Sequence, residues 1–221
     1  MGSVGSQIKK DIDKIKDWLK GESKSRKKAK PKDLSKIKDK TLEGIERRIR
    51  NLKQEELYAF DANDNLVAGY QGDQTSVAFP STLLDMEDAT VTHGHPKGME
   101  EFGGTFSFAD INNMLNSKWK EHRATASGQG EMNYIMRKTK NADAKGLRDQ
   151  INKDYPKLNK EWQDAYTQAY KDRIKAGAKP AQARHEARQI GVGMLNAYYK
   201  RTFKKYGYEY VTRKKDYKYN R

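Results

Sequence analysis

Residues able to hold a metal crowd into one stretch of this chain, Thr92-His93-Gly94-His95-Pro96, followed by Ser107-Phe108-Ala109-Asp110. The two histidines end the apolar run Ala89-Thr90-Val91-Thr92, which reads as a short buried strand, and Pro96 cannot continue its hydrogen-bond ladder. In extended chain, residues two apart point to the same side, so His93 and His95 aim both imidazoles into one spot. Asp110 can supply a third, anionic ligand and leave open the fourth position that a catalytic zinc keeps. Ser107-Phe108-Ala109-Asp110 also reads as a capping box opening a helix from Phe108 to about Trp119. The two readings are compatible: a helix N-terminus favours a charged carboxylate, and a zinc ligand must be ionised to bind.

On these residues the chain resembles the JAB/MPN (JAMM) metalloprotease superfamily, in which Glu … His-x-His-Pro … Ser-x-x-Asp binds zinc on a strand-loop-helix unit. It is most similar to the RadC-like and phage-associated branch, over roughly Glu55 to Arg137. The likeness includes the hairpin Leu57-Tyr58-Ala59-Phe60-Asp61-Ala62-Asn63-Asp64-Asn65-Leu66-Val67 and the run Gly103-Gly104-Thr105-Phe106-Ser107. The resemblance implies one Zn²⁺ on His93, His95 and Asp110, with Ser107 supporting the site and helping to hold a tetrahedral oxyanion. An upstream glutamate would be the general base. Two features depart from the family: Gly94 stands where Ser, Thr or Asn is usual, and Lys97-Gly98-Met99-Glu100-Glu101-Phe102 lengthens the loop before Ser107.

The base must take a proton from water and pass it to a leaving amine. Glu55 and Glu56 both open the first strand of that hairpin, and alternation turns only one of them inward. Spacing to Tyr58, Phe60 and Asp61 favours Glu56. The plain alternative is that both are solvated residues ending the preceding helix.

The elements around this motif follow from periodicity and charge. Strands are expected at 56–61, 65–70, 75–79, 88–92, 121–127 and 131–138, with helices near 80–86 and 107–119. His122 and Glu131 fall in the last hairpin and read as ordinary surface positions. Ile8, Ile12, Ile15 and Leu19 give a short amphipathic helix. Residues 21–32 read as a linker, and a second helix starts near Asp33 with Leu34, Ile37, Thr41, Ile45, Ile49 and Leu52 on one face. Beyond Asn141 the pattern is helical, with a stripe of Leu158, Trp162, Ala165 and Ala169 beside Tyr166 and Tyr170. A long helix runs from Pro180 to Lys205, and an edge strand is expected at 206–212. The fold class is therefore α+β: a JAB/MPN-like mixed sheet with flanking helices, plus basic helical N- and C-terminal extensions.

Charge divides the chain in three. Residues 1–54 carry 18 basic and 8 acidic side chains, residues 55–140 carry 7 and 13, and residues 141–221 carry 20 and 9, within a net +15. This gives an N-terminal extension (1–54), a metal domain (55–140) and a C-terminal region (141–221). Basic arms suit phosphate contact with salt-sensitive affinity; the candidates are Arg26, Lys27 and Lys28 in the linker and Arg213, Lys214 and Lys215 in an aromatic-rich tail. No apolar run approaches the roughly 18–20 residues of a membrane span. The absence of cysteine excludes disulfides and thiolate ligands.

Three functions compete on these grounds. The leading expectation is a zinc-dependent metallopeptidase or isopeptidase acting on a peptide or isopeptide. It would work in the cytoplasm, or in a host cytoplasm or virion if it comes from a phage or mobile element. The second is a basic nucleic-acid-binding or virion-packaged protein with a structural or inactive JAB-like fold. A metal-dependent nuclease is third, because one three-ligand site suits water activation better than the two-metal clamp common in nucleases.

Overall fold

The computed structural model describes residues 5–6, 8–10, 12–13, 29–50, 52–73, 77–95, 105–126 and 132–214. Seven strands form one mixed sheet: β1 (Lys30–Pro31), β2 (Glu56–Phe60), β3 (Leu66–Gln71), β4 (Thr90–His95), β5 (Glu121–Ala126), β6 (Met132–Lys138) and β7 (Tyr208–Lys214). Their order is β1-β3-β2-β4-β5-β6-β7. The helices are α1 (Leu42–Ile49), α2 (Ser81–Leu84), α3 (Phe108–Asn116), α4 (Ala144–Lys175) and α5 (Pro180–Lys205). At this level the expected α+β class holds. Neighbouring strands are antiparallel except β4 and β5, which run parallel. A parallel pair needs a crossover connection, and α3 lies within it.

Both faces of the sheet are covered. On one face α1 lays Ile45 and Ile49 over Tyr58 and Phe60. On the other, Leu57, Ala59, Val91, Ala124, Tyr134 and Met136 pack with Phe106, Ile111, Met114, Trp119 and the aromatic side of α4 and α5. In α4 the buried stripe is Leu158, Trp162, Tyr166 and Tyr170, spaced by four, with the three rings stacked along the helix. Ala165 and Ala169 are only half-buried beside it. No helix among the described residues is long and apolar enough to cross a membrane.

Several expectations need correction. The helix foreseen from Asp33 is broken into a 3₁₀ turn (Leu34–Lys36), an extended Ile37, and α1 capped by Thr41. The cause is local: Asp33 and Asp39 accept hydrogen bonds from the amides of Ser35 and Thr41, a side-chain alternative that competes with continuous helix. Residues 77–79, foreseen as strand, have no regular structure, and 74–76 lie outside the described residues. The 21–32 linker ends in β1, where Lys30 and Pro31 pair with Gln71 and Tyr70; residues 21–28 lie outside the described residues. The edge strand expected at 206–212 is β7, paired with β6 over its whole length. The boundaries at 54/55 and 140/141 follow charge, and one sheet crosses both.

Gly94, the departure between the two histidines, has a packing reason. It faces α1, and a Cβ placed there would lie 2.9 Å from the Ile49 carbonyl oxygen and 3.2 Å from the Ile49 Cβ. The close atom is backbone, so no rotamer can yield. Restoring a side chain by Gly94→Ser should therefore destabilise the protein by about 1–3 kcal/mol, the usual cost of overpacking. Urea unfolding measures it, and an unchanged midpoint would mean that α1 is not pressed onto β4.

Candidate metal centre

Register places the ligand candidates. Leu57 of β2 and Ala124 of β5 are the partners of His93, and Ala126 is the β5 partner of His95. Small β5 side chains therefore flank both imidazoles. His93 and His95 are buried on the face opposite α1, with their Nε2 atoms 3.0 Å apart. Asp110 arrives from the first turn of α3. Its Oδ1 is 3.4 Å from His93 Nε2 and its Oδ2 is 3.8 Å from His95 Nε2. Three ligand atoms on a tetrahedral zinc, each about 2.0–2.1 Å from the ion, would stand about 3.3 Å from one another. The separations of 3.0, 3.4 and 3.8 Å bracket that value, the two carboxylate distances being to different oxygens, and the donor set of two imidazoles and one carboxylate suits the ion.

The capping box at the start of α3 is present. The Ser107 amide and hydroxyl both donate to Asp110 Oδ2, at 2.8 and 2.7 Å, and the Asp110 amide donates back to Ser107 Oγ at 3.2 Å. The Ser107 hydroxyl proton, for which the resemblance implies a role at a substrate oxyanion, is directed at the Asp110 carboxylate in this structure. Burial alone would raise the Asp110 carboxyl; the charge and hydrogen bonds of His93 and His95 outweigh it and hold the group well below the usual range.

His122 is the residue that sequence reasoning missed. It is fully buried, not a surface position. Its Nε2 lies 3.2 Å from His93 Nδ1 and its Nδ1 lies 3.1 Å from the Asp110 carbonyl oxygen. Phe79, Phe106 and Trp119 enclose the ring, with centroids 5.6, 5.1 and 5.2 Å away. Burial, then the charge of His93, push its pKa down to about 3 against the pull of Asp110; the ring is a neutral imidazole. The buried trio His93, Asp110 and His122, with one ligand atom each within 4.8 Å of one another, could hold a metal ion. His122 also has a second use. If His93 Nε2 is a bare ligand lone pair, its proton sits on Nδ1 and is donated to His122 Nε2, whose own Nδ1 proton goes to the Asp110 carbonyl. A ligating histidine braced in this way through its other nitrogen is the rule in metal sites. The available signal was the strand-helix-strand pattern, which makes β4 and β5 neighbours and sets 122 beside 91–93.

Strand parity also corrects the choice between the glutamates. With Leu57 opposite His93, Glu55 shares the face of the histidines and Glu56 the face of α1. Glu56 is held there by Lys32, by Tyr58 Oη at 2.7 Å and by Arg48 at 3.6 Å. Glu55 is buried, accepts a hydrogen bond from the Val77 amide, and interacts electrostatically with His95, Asp110 and Asp73. Burial pushes its carboxyl up to about 8; His95 pulls against this, while Asp110 and Asp73 add to it.

Arg26, Lys27, Lys28 and Lys215 lie outside the described residues, as does Glu131; Arg213 is exposed near the end of β7, and Lys214 is its last residue. Along α4 the pairs Lys145–Asp149, Lys157–Glu161 and Lys160–Asp164 offset part of the positive charge. Comparisons with protein-family models, with curated proteins and with solved structures give no match, so the chemistry of the centre rests on its own geometry.

Glu55 gives a test that needs no substrate. A carboxyl whose folded pKa is raised from 4.5 to about 8 binds more protons folded than unfolded between those values. Its stabilising contribution is complete below the unfolded value and is lost as pH rises through the folded one. In metal-free protein, Glu55→Gln removes that loss. Relative to wild type, the variant should gain stability between pH 5 and pH 8, by at least about 1.4 kcal/mol, the equivalent of a tenfold change in proton affinity. Denaturant titrations at the two pH values, with chelator present, check this; parallel behaviour of the two proteins would place Glu55 in water.

Proposed function

We propose that this chain is a zinc-dependent metallopeptidase or isopeptidase of the JAB/MPN type, with His93, His95 and Asp110 as ligands and Glu55 as general base. The observation that carries this reading is the triangle of His93 Nε2, His95 Nε2 and the Asp110 carboxylate, with edges of 3.0, 3.4 and 3.8 Å. It lies on a strand-loop-helix unit of the kind the resemblance implies. Within the trio that includes His122, both nitrogens of His122 already face His93 Nδ1 and the Asp110 carbonyl, which suits a brace better than a ligand. A zinc ion held there would supply Lewis acidity, polarising a scissile carbonyl and lowering the pKa of a water molecule to about 7.

The chain's own groups do the rest. Glu55 presents a buried carboxyl on the face of the histidines, in electrostatic contact with His95 and Asp110, where a general base can take up and return a proton. It accepts the water proton at its carboxylate and delivers it to the leaving amine. Ser107 keeps the Asp110 carboxylate turned toward the histidines through its amide and hydroxyl. Phe79 and Phe106 stand against His93, with ring centroids 6.1 and 6.4 Å away, and exclude water from its flanks.

Zinc uptake separates the ligand assignments. Purified protein should bind one zinc per chain by elemental analysis. Substituting His95 by Ala should abolish uptake, whereas His122→Ala should weaken it about 10–100-fold, the usual cost of losing an outer-shell partner. Loss of zinc on removing His122 but not His95 would reverse the assignment, and no zinc in wild type supplied with the ion would leave a scaffold without metal chemistry.

Peptide or isopeptide hydrolysis tests the base. Glu55→Gln should lower kcat about 100-fold or more with zinc still bound. Glu56→Gln should mainly affect stability, through Lys32, Arg48 and Tyr58. The reverse ranking would overturn the role given to Glu55.

A further inference from the structure

The segment that delivers Asp110 to the histidines is gripped from the far end of the chain. Thr105 and Phe106 are fully buried. The Thr105 hydroxyl lies 2.9 Å from Asn196 Oδ1 and 2.8 Å from the Tyr210 hydroxyl, which itself donates to Asn196 Oδ1 at 2.5 Å. One residue later, the Phe106 carbonyl accepts the Tyr199 hydroxyl at 3.2 Å. Tyr199, Phe203 and Tyr210 pack mutually, with centroids 5.1 to 5.7 Å apart, so both hydroxyls come from rings with little freedom. On its other side the Phe106 ring lies against His122.

These contacts end on the two residues immediately before Ser107, whose amide and hydroxyl hold the Asp110 carboxylate. We propose that Tyr199, Tyr210 and Asn196 are positioning residues of the metal centre, which makes the C-terminal helix-strand unit a working part of metal binding. The proposal rests on the ligand set given above. It follows from continuity: hydroxyl to Thr105 and Phe106, through the N-cap Ser107, to the ligand oxygen. Loosening the far end costs order at the ligand even though no tyrosine touches the metal. Burial holds the Tyr199 hydroxyl far above its ordinary pKa, so it stays a donor across the working pH range.

The test deletes hydroxyls and keeps rings: Tyr199→Phe, Tyr210→Phe and the double variant. Tyr208→Phe is the control, because Tyr208 sits in the same strand as Tyr210 with its hydroxyl buried and without a hydrogen-bond partner among the described residues. Two readouts are taken on the full chain: zinc affinity by competition with a chelating dye, and amide hydrogen exchange at Ser107 and Asp110 in metal-free protein. Each single variant should bind zinc about tenfold more weakly, the lower end of outer-shell effects. The double variant should be weaker still, with faster exchange at both amides and near-normal exchange in the core of α4. Tyr208→Phe should match wild type in both readouts. Wild-type affinity and wild-type exchange in the double variant would overturn the proposal. A fall in unfolding temperature with both readouts unchanged would do the same, reducing the tyrosines to ordinary packing. If wild type itself takes up no zinc, the metal reading fails, and the exchange rates alone decide whether the clamp orders Asp110.

Discussion

The antiparallel pairing that sets Leu57 opposite His93 decides the face of the side chains that β2 and β4 bring to the site. From it follow His93 and His95 on one side with Glu55, and Gly94 and Glu56 on the other. The parallel pairing of β4 with β5 then brings His122 to the same side as the histidines. Because side chains alternate strictly along a strand, a slip of one residue would exchange the two sets completely. The register is hard to slip because neither face is solvent: α1 covers one and the α3–α5 layer covers the other, each with its own apolar cluster.

The face away from the histidines adds a second lock. Glu46 of α1 is fully buried and meets Arg123 Nε at 2.5 Å and Asn133 Nδ2 at 2.6 Å. Arg123 also reaches Glu121 at 2.7 Å, and Arg137 pairs with the same glutamate. Burial alone would lower the Arg123 pKa, and the two glutamates reverse that direction. Such buried pairs add little net stability compared with apolar packing, but breaking one strands a charge. Their effect here is geometric: they hold α1 at one position on β5 and β6, and α1 in turn lies close enough to β4 that only glycine fits at 94. The spacing of the two histidine side chains is thus fixed from behind as well as from the front.

The parts of this arrangement that could be read in the sequence are the local ones. His93, His95, Ser107 and Asp110 carry their meaning in short spacings and in a strand-to-helix transition, and the capping box is where those spacings put it. What could not be read depended on partners distant in sequence. Glu55 and Glu56 are equivalent until the pairing partner of Leu57 is known. His122 looked exposed because one strand in isolation does not reveal which of its faces a helix will cover. The helix extended from Asp33 failed because hydrophobic periodicity outvoted two aspartates with better local bonds to make. Charge marks a change in composition near 140, and the sheet continues past it into the expected edge strand.

The position of β7 has a consequence for how the molecule comes into being. Synthesis runs from the N-terminus, so the candidate ligands at 93, 95 and 110 leave the ribosome nearly a hundred residues before the edge strand β7. Until Tyr208–Lys214 emerges, β6 is an open edge, the kind of surface on which chains join one another, and Thr105 lacks the Tyr210 hydroxyl. Without β7 the chain would carry His93, His95 and Asp110 yet lack the Tyr210 contact to Thr105. The sheet edge beside the candidate centre is thus closed by the strand that comes last among the described residues.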